Sequence, residues 1–80
     1  MNVFVVLTPN SDSGEDMEAV CSTLEKAKEV GNRVAAKRHY AIIQEWELDS
    51  DRPVRHWDKA DGQVSMYSND VKNNWDWEEI

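Results

Sequence analysis

The chain has 80 residues, of which 40% are hydrophobic and 31% charged, and it carries a formal net charge of −7. A second independent core would need about 50 residues of its own, so residues 1–80 are one domain of globular composition, neither disordered nor membrane-embedded. The acidic balance excludes a nonspecific binder of nucleic acid or anionic membrane, and the longest apolar run, Val3 to Leu7, falls far short of the ~20 residues of a bilayer span.

No basic start precedes a long apolar stretch, so no signal peptide is expected. The single cysteine, Cys21, rules out an internal disulfide framework and fits a reducing, cytoplasmic setting. The charge is unevenly placed. Residues 1–23 carry acids only, residues 24–38 are basic on balance, and residues 39–80 hold ten acids against four bases.

In chain order, Asn2 to Thr8 reads as a strand, because Val3, Phe4, Val5, Val6 and Leu7 follow one another without a polar break. Such a run belongs in the interior of a sheet. Pro9-Asn10-Ser11-Asp12-Ser13-Gly14 is a turn cluster that stops it, and Glu18 to Cys21 forms a short second strand, closing a hairpin. Ser22-Thr23-Leu24-Glu25 has the form of a capping box, with the Ser22 hydroxyl and the Glu25 carboxylate satisfying backbone donors. Behind it Leu24, Ala27, Val30, Gly31 and Val34 recur at helical steps, a face of mostly small residues suited to close packing on a sheet. The helix is expected over about Thr23 to Arg38, with Lys37 and Arg38 complementing its C-terminal dipole. Gly31, unfavourable in mid-helix by about 1 kcal/mol, implies a close contact there.

Tyr40 to Leu48 is the clearest strand. Tyr40, Ile42, Gln44, Trp46 and Leu48 share one face, while Ala41, Ile43, Glu45, Glu47 and Asp49 share the other. Val54 to Trp57 and Gln63 to Tyr67 read as a hairpin across Asp58-Lys59-Ala60-Asp61-Gly62, with residues 68–80 as an acidic, Trp-containing tail. The expected fold is a small α+β domain, β-β-α-β-β-β, with an antiparallel or mixed sheet and one helix packed on a face.

Little here has the form of an active site. Cys21 with His39 or His56 supplies the residue types of a nucleophile and its base, yet no local signature surrounds them, and Cys21 reads as a small buried residue. The two histidines and Asp58 are too scattered for a structural metal, and the Asp12 to Asp16 segment lacks the alternating ligands of a calcium loop. Phosphate-binding glycine loops and the serine-hydrolase elbow are absent. No catalytic residue, metal or cofactor is therefore assigned, and a non-enzymatic protein is expected. The basic stretch Lys26 to Arg38 reads as the solvated face of the helix.

The acidic half is more informative. Glu45, Glu47 and Asp49 on one strand face would stand about 7 Å apart, a row of negative charge that a cleft built for nucleic acid would attract. Asp51, Asp58, Asp61, Asp70, Asp76, Glu78 and Glu79 would extend that row. Of the four tryptophans, Trp46 belongs with the apolar strand face and Trp57 closes a sheet edge. Trp75 and Trp77 lie two apart in the acidic tail, either as aromatic anchors for a partner or as a strand folded back on the core.

The strand, the short second strand, the Ser22-Thr23-Leu24-Glu25-Lys26-Ala27 helix start and the Glu45-Trp46-Glu47-Leu48-Asp49 strand together resemble small acidic accessory proteins encoded in phages and prophages, over residues 2–49. The resemblance implies no catalytic residue. It implies an inhibitor of host defence of the anti-CRISPR or anti-restriction kind, with a nucleic-acid-binding host protein, a CRISPR effector first, as partner. The expectation is thus an acidic nucleic-acid mimic in the host cytoplasm that binds neither nucleic acid nor membrane itself. The alternative is a general interaction module, or a homodimer, that uses the C-terminal tryptophans.

Overall fold

In a computed structural model, which describes residues 2–10, 14–64 and 71–80 and only the backbone of 9, 10, 14, 15, 61–64 and 71–75, the elements follow the expected order. They are β1 (Asn2–Asn10), β2 (Gly14–Cys21), α1 (Leu24–Arg38), β3 (Tyr40–Glu47), β4 (Arg55–Val64) and β5 (Val71–Glu79). The strands form one five-stranded sheet in the order β2-β1-β3-β4-β5, antiparallel at every pairing. The unbroken apolar run of β1 lies inside the sheet, between β2 and β3, and β2 is longer than expected.

The helix starts one residue later than a capping box at Ser22 requires. Thr23 is the N-cap, with extended backbone, and its hydroxyl accepts the Lys26 N–H at 3.1 Å. With Thr23 in that position the third helical residue is Lys26, so no carboxylate reaches back and the box is not formed. Glu25 still sits in the first turn, where negative charge is favourable. At the other end His39 takes the left-handed conformation (φ 67°) and its N–H returns to the Ala35 carbonyl at 2.8 Å, ending α1 immediately before β3.

Two apolar clusters lie on opposite faces of the sheet. Against α1, Val6, Cys21, Ala27, Ile43 and Trp57 are buried, bordered by Phe4, Ala19, Leu24, Val30, Val34 and Trp77. Phe4 and Trp57 meet with ring centroids 6.2 Å apart at 45°. Trp57 is therefore an interior residue of this core rather than the closure of an edge. On the face turned away from α1, Leu7, Tyr40, Ile42 and Ala60 form the second cluster, with Val5 beside them. Burying a side chain such as Ile42 or Ile43, both fully enclosed, contributes about 1.5–3 kcal/mol each.

The expected turn at Asp58 to Gly62 is instead the middle of β4. Asp58 is fully buried, its carboxylate accepting the Tyr40 hydroxyl at 3.0 Å, and Ala60 pairs with Tyr40. A run of charged residues reads as a turn only if its charges need water, and here one of them is satisfied inside. Irregularities in the β4–β5 pairing, between Asp58 and Ala60 and between Asp61 and Gln63, accommodate Gly62 and the extra residues of β5. The described part of the expected tail is not a tail: Val71–Glu79 is the fifth strand, paired along β4. The Ser65 to Tyr67 part of the expected hairpin strand, the 68–70 start of the tail and the 11–13 hairpin tip lie outside the described residues.

Candidate acidic binding surface

Register gathers the acids at one end of the sheet. Cys21 stands opposite Phe4, Phe4 opposite Glu45 and Glu45 opposite Arg55, while Trp57 stands opposite Glu79 and Ile80 donates its N–H to the His56 carbonyl at 2.9 Å. The start of α1, the end of β3, the connection to β4 and the end of β5 therefore share that end. Neighbouring strands lie about 4.8 Å apart, which puts β3 and β5 about 10 Å from each other. Lys37 and Arg38, in the last turn of α1, lie toward the opposite end.

The β3–β4 connection projects charge because its backbone is held from within. Ser50 returns its N–H to the Glu47 carbonyl at 3.2 Å, closing a turn with Asp49 at φ 65°, a left-handed conformation that Asp tolerates better than most residues. The Ser50 hydroxyl then donates to the Arg52 carbonyl at 2.8 Å, and Val54 rejoins the sheet through its N–H to the Glu45 carbonyl at 2.7 Å. Glu47, Asp49 and Asp51 are exposed along this path. The Asp51–Arg52 pair, 3.7 Å apart, is almost wholly in water and neutralises little.

The straight row expected from strand alternation is not what forms. The strand ends at Glu47, so Leu48 and Asp49 belong to the turn. Glu45 is only 12% exposed; it pairs with Arg55 at 3.7 Å and accepts the Asn2 side-chain amide. That carboxylate holds the N-terminal strand and β4 together and is not free for a partner. Asp58 is inside the protein and leaves the acidic surface as well. Asp76, Glu78 and Glu79 are exposed on β5, whereas the side chains of Asp61 and Trp75 lie outside those described. The acids that the fold assembles at one end are Glu47, Asp49, Asp51 and Glu79, with Glu78 on the other face of β5 and Glu25 at the start of α1.

Trp77 takes the second of the two roles expected of it, in a strand folded back on the core. It lies against α1, where its ring fills the space above Gly31 and its indole N–H donates to Asn32 Oδ1 at 3.1 Å; Lys59 Nζ reaches the same oxygen at 3.0 Å. The indole therefore ties the edge strand β5 to the helix. Gly31 was the sequence signal for this contact, but nothing local to it named the partner.

Cys21, His39 and His56 do not converge. Cys21 is buried near the start of α1, and His39 ends that helix, about 22 Å away at 1.5 Å per residue. His56 alternates with Trp57 and so belongs to the face away from α1. Among the described residues no group of three His, Cys, Asp or Glu is gathered as a metal site, and no helix is long and apolar enough to cross a membrane. A depression of about 520 Å³ forms a groove beside α1 lined by Glu18, Val30, Arg33, Val34, Ala36 and Lys37. Comparison with protein families, with curated proteins and with solved structures finds no match to the chain.

Proposed function

We propose that the protein is a non-enzymatic inhibitor of the phage anti-defence type, which offers its acidic end to a basic nucleic-acid channel of a host defence protein. A CRISPR effector complex is the first candidate. The observation that supports this reading is the exposed set Glu47, Asp49, Asp51 and Glu79 at one end of a sheet whose helix carries its last-turn bases toward the other. A scaffold that holds carboxylates on a turn fixed by backbone hydrogen bonds presents them at little entropic cost, as a competitor of a phosphate backbone should. The competing reading, an aromatic docking module built on Trp75 and Trp77, has one anchor already engaged, since the Trp77 indole is packed on Gly31.

The test is binding of the purified protein to a purified CRISPR effector complex, with and without excess target DNA, across a salt series. Charge-driven capture weakens steeply with salt and is displaced by DNA. Replacing Glu47, Asp49 and Glu79 together by Lys should abolish it, while Glu25→Lys should weaken it modestly. Capture that ignores salt, DNA and the triple reversal would end the mimicry reading, as would failure to bind any such complex.

A further inference from the structure

Five large apolar side chains are exposed among the described residues, and three of them stand among the carboxylates of the acidic end. Leu48 is 61% exposed, Val54 47% and Ile80 45%. None of the three belongs to either buried cluster. Backbone hydrogen bonds fix their places. Leu48 follows the last residue of β3, inside the turn that the Ser50 N–H closes onto Glu47. Val54 is held to the Glu45 carbonyl just before β4 begins, and Ile80, just after β5, is held to the carbonyl of His56, two residues further on. Strands lie about 4.8 Å apart and alternate residues about 7 Å apart, so neighbours in the series Leu48, Val54, Ile80 stand on the order of 10 Å from each other.

Carboxylates are interleaved with these apolar groups. Leu48 lies between Glu47 and Asp49, Asp51 is in the segment leading to Val54, and Glu79 precedes Ile80. The bases nearby, Arg52 and Arg55, each stand 3.7 Å from a carboxylate, of Asp51 and Glu45 respectively. A surface that imitated phosphates alone would need no apolar groups between its acids. Sites for duplex nucleic acid are polar and strongly positive, and they gain little from aliphatic side chains. Sites for single strands differ: a positive groove follows the backbone, and aromatic side chains receive the unstacked bases.

We infer, on the reading proposed above, that the acidic end fits a single-strand site of its target. Its carboxylates take the place of phosphates, and Leu48, Val54 and Ile80 take the place of bases on the aromatic floor. Glu47-Leu48-Asp49 repeats in miniature the order phosphate, nucleoside, phosphate. Charge selects this occupant over others. A second copy or an anionic lipid surface would set negative charge against these carboxylates, and an uncharged apolar partner would bury them unpaired.

The test is displacement of the protein from the purified CRISPR effector complex by a single-stranded oligonucleotide or a duplex, neither related to the guide, at equal phosphate concentration. The single strand should act at about tenfold lower concentration, because only it competes for the aromatic floor. Leu48→Ser and Val54→Ser should each weaken capture about tenfold, by a factor that persists across a salt series, since no charge changes. Met17→Ser, at a 67% exposed position on the far edge strand β2, should leave capture unchanged. Circular dichroism melts check that the three variants fold. Capture that falls with salt and with the triple Lys replacement, yet ignores Leu48→Ser and Val54→Ser or yields equally to duplex, overturns this inference alone. No capture, or capture that ignores salt and the triple replacement, overturns the mimicry reading and this inference with it.

Discussion

Replacing Gly31 by Ala should destabilise this protein, although the same change in an open helix stabilises it by about 1 kcal/mol. A Cβ at position 31 would stand 2.5 Å from Trp77 Cζ2 and 2.6 Å from Cη2. Carbon atoms in contact prefer about 3.5–4.0 Å, so the ring must withdraw by about 1 Å. It is not free to do so, because its N–H is held by Asn32 Oδ1 and its other contacts belong to the core beneath α1. Overpacking of this kind costs about 1–3 kcal/mol, and losing the indole hydrogen bond adds about 0.5–1.5 kcal/mol. After the helix-propensity gain is subtracted, a net loss of about 2 kcal/mol remains, a fall in Tm of roughly 10 °C for a domain of this size. The decisive assay is a double-mutant cycle by urea denaturation, followed by circular dichroism, on wild type, Gly31→Ala, Trp77→Ala and the double variant. Without the indole the Ala should become favourable by up to about 1 kcal/mol, so the effect changes sign and the coupling is about 3 kcal/mol. A Gly31→Ala protein at least as stable as wild type, or a coupling below about 0.5 kcal/mol, refutes the contact.

Further expectations concern the helix start and the buried polar pair. Thr23→Ala removes the N-cap acceptor for the Lys26 N–H and should cost about 1 kcal/mol in denaturant titration, whereas Ser22→Ala should change stability by less than about 0.5 kcal/mol. Equal effects at the two positions would place the cap wrongly. Tyr40→Phe takes the hydroxyl from the buried Asp58 carboxylate and should cost about 1.5–3 kcal/mol, with Asp58→Ala at least as damaging. A Tyr40→Phe protein as stable as wild type would mean that this hydrogen bond contributes nothing to the fold.

Where backbone preference and hydrophobic period agree, the sequence is read correctly. The apolar run of β1, the three- and four-residue spacing of α1 and the alternation of β3 as far as Glu47 each specify their element without help from distant residues. Misreadings arise where a local signal competes with a remote partner. Asp58-Lys59-Ala60-Asp61-Gly62 carries turn chemistry, yet it lies in a strand because Tyr40, 18 residues earlier, supplies a buried donor. The β5 segment has no apolar run to announce it and is a strand through pairing with β4 and the seat of Trp77 on α1. Ser22 and Thr23 are both competent caps, and only the path of the chain leaving β2 selects the second.

The candidate site divides in the same way. That the chain is acidic, that five of its nine bases fall in one helix and that Glu47, Asp49 and Asp51 lie at and just beyond the end of the third strand are properties of composition and order, legible without coordinates. Which carboxylates remain available is a matter of three-dimensional neighbours. Arg55 and Asn2 take Glu45 out of the row, Tyr40 draws Asp58 inside, and the β4–β5 register brings Glu79 to the end where the β3–β4 turn projects. A charge is written at one position of the chain. Its solvation, and therefore its availability to a partner, depends on groups that only folding brings within a few ångströms of it.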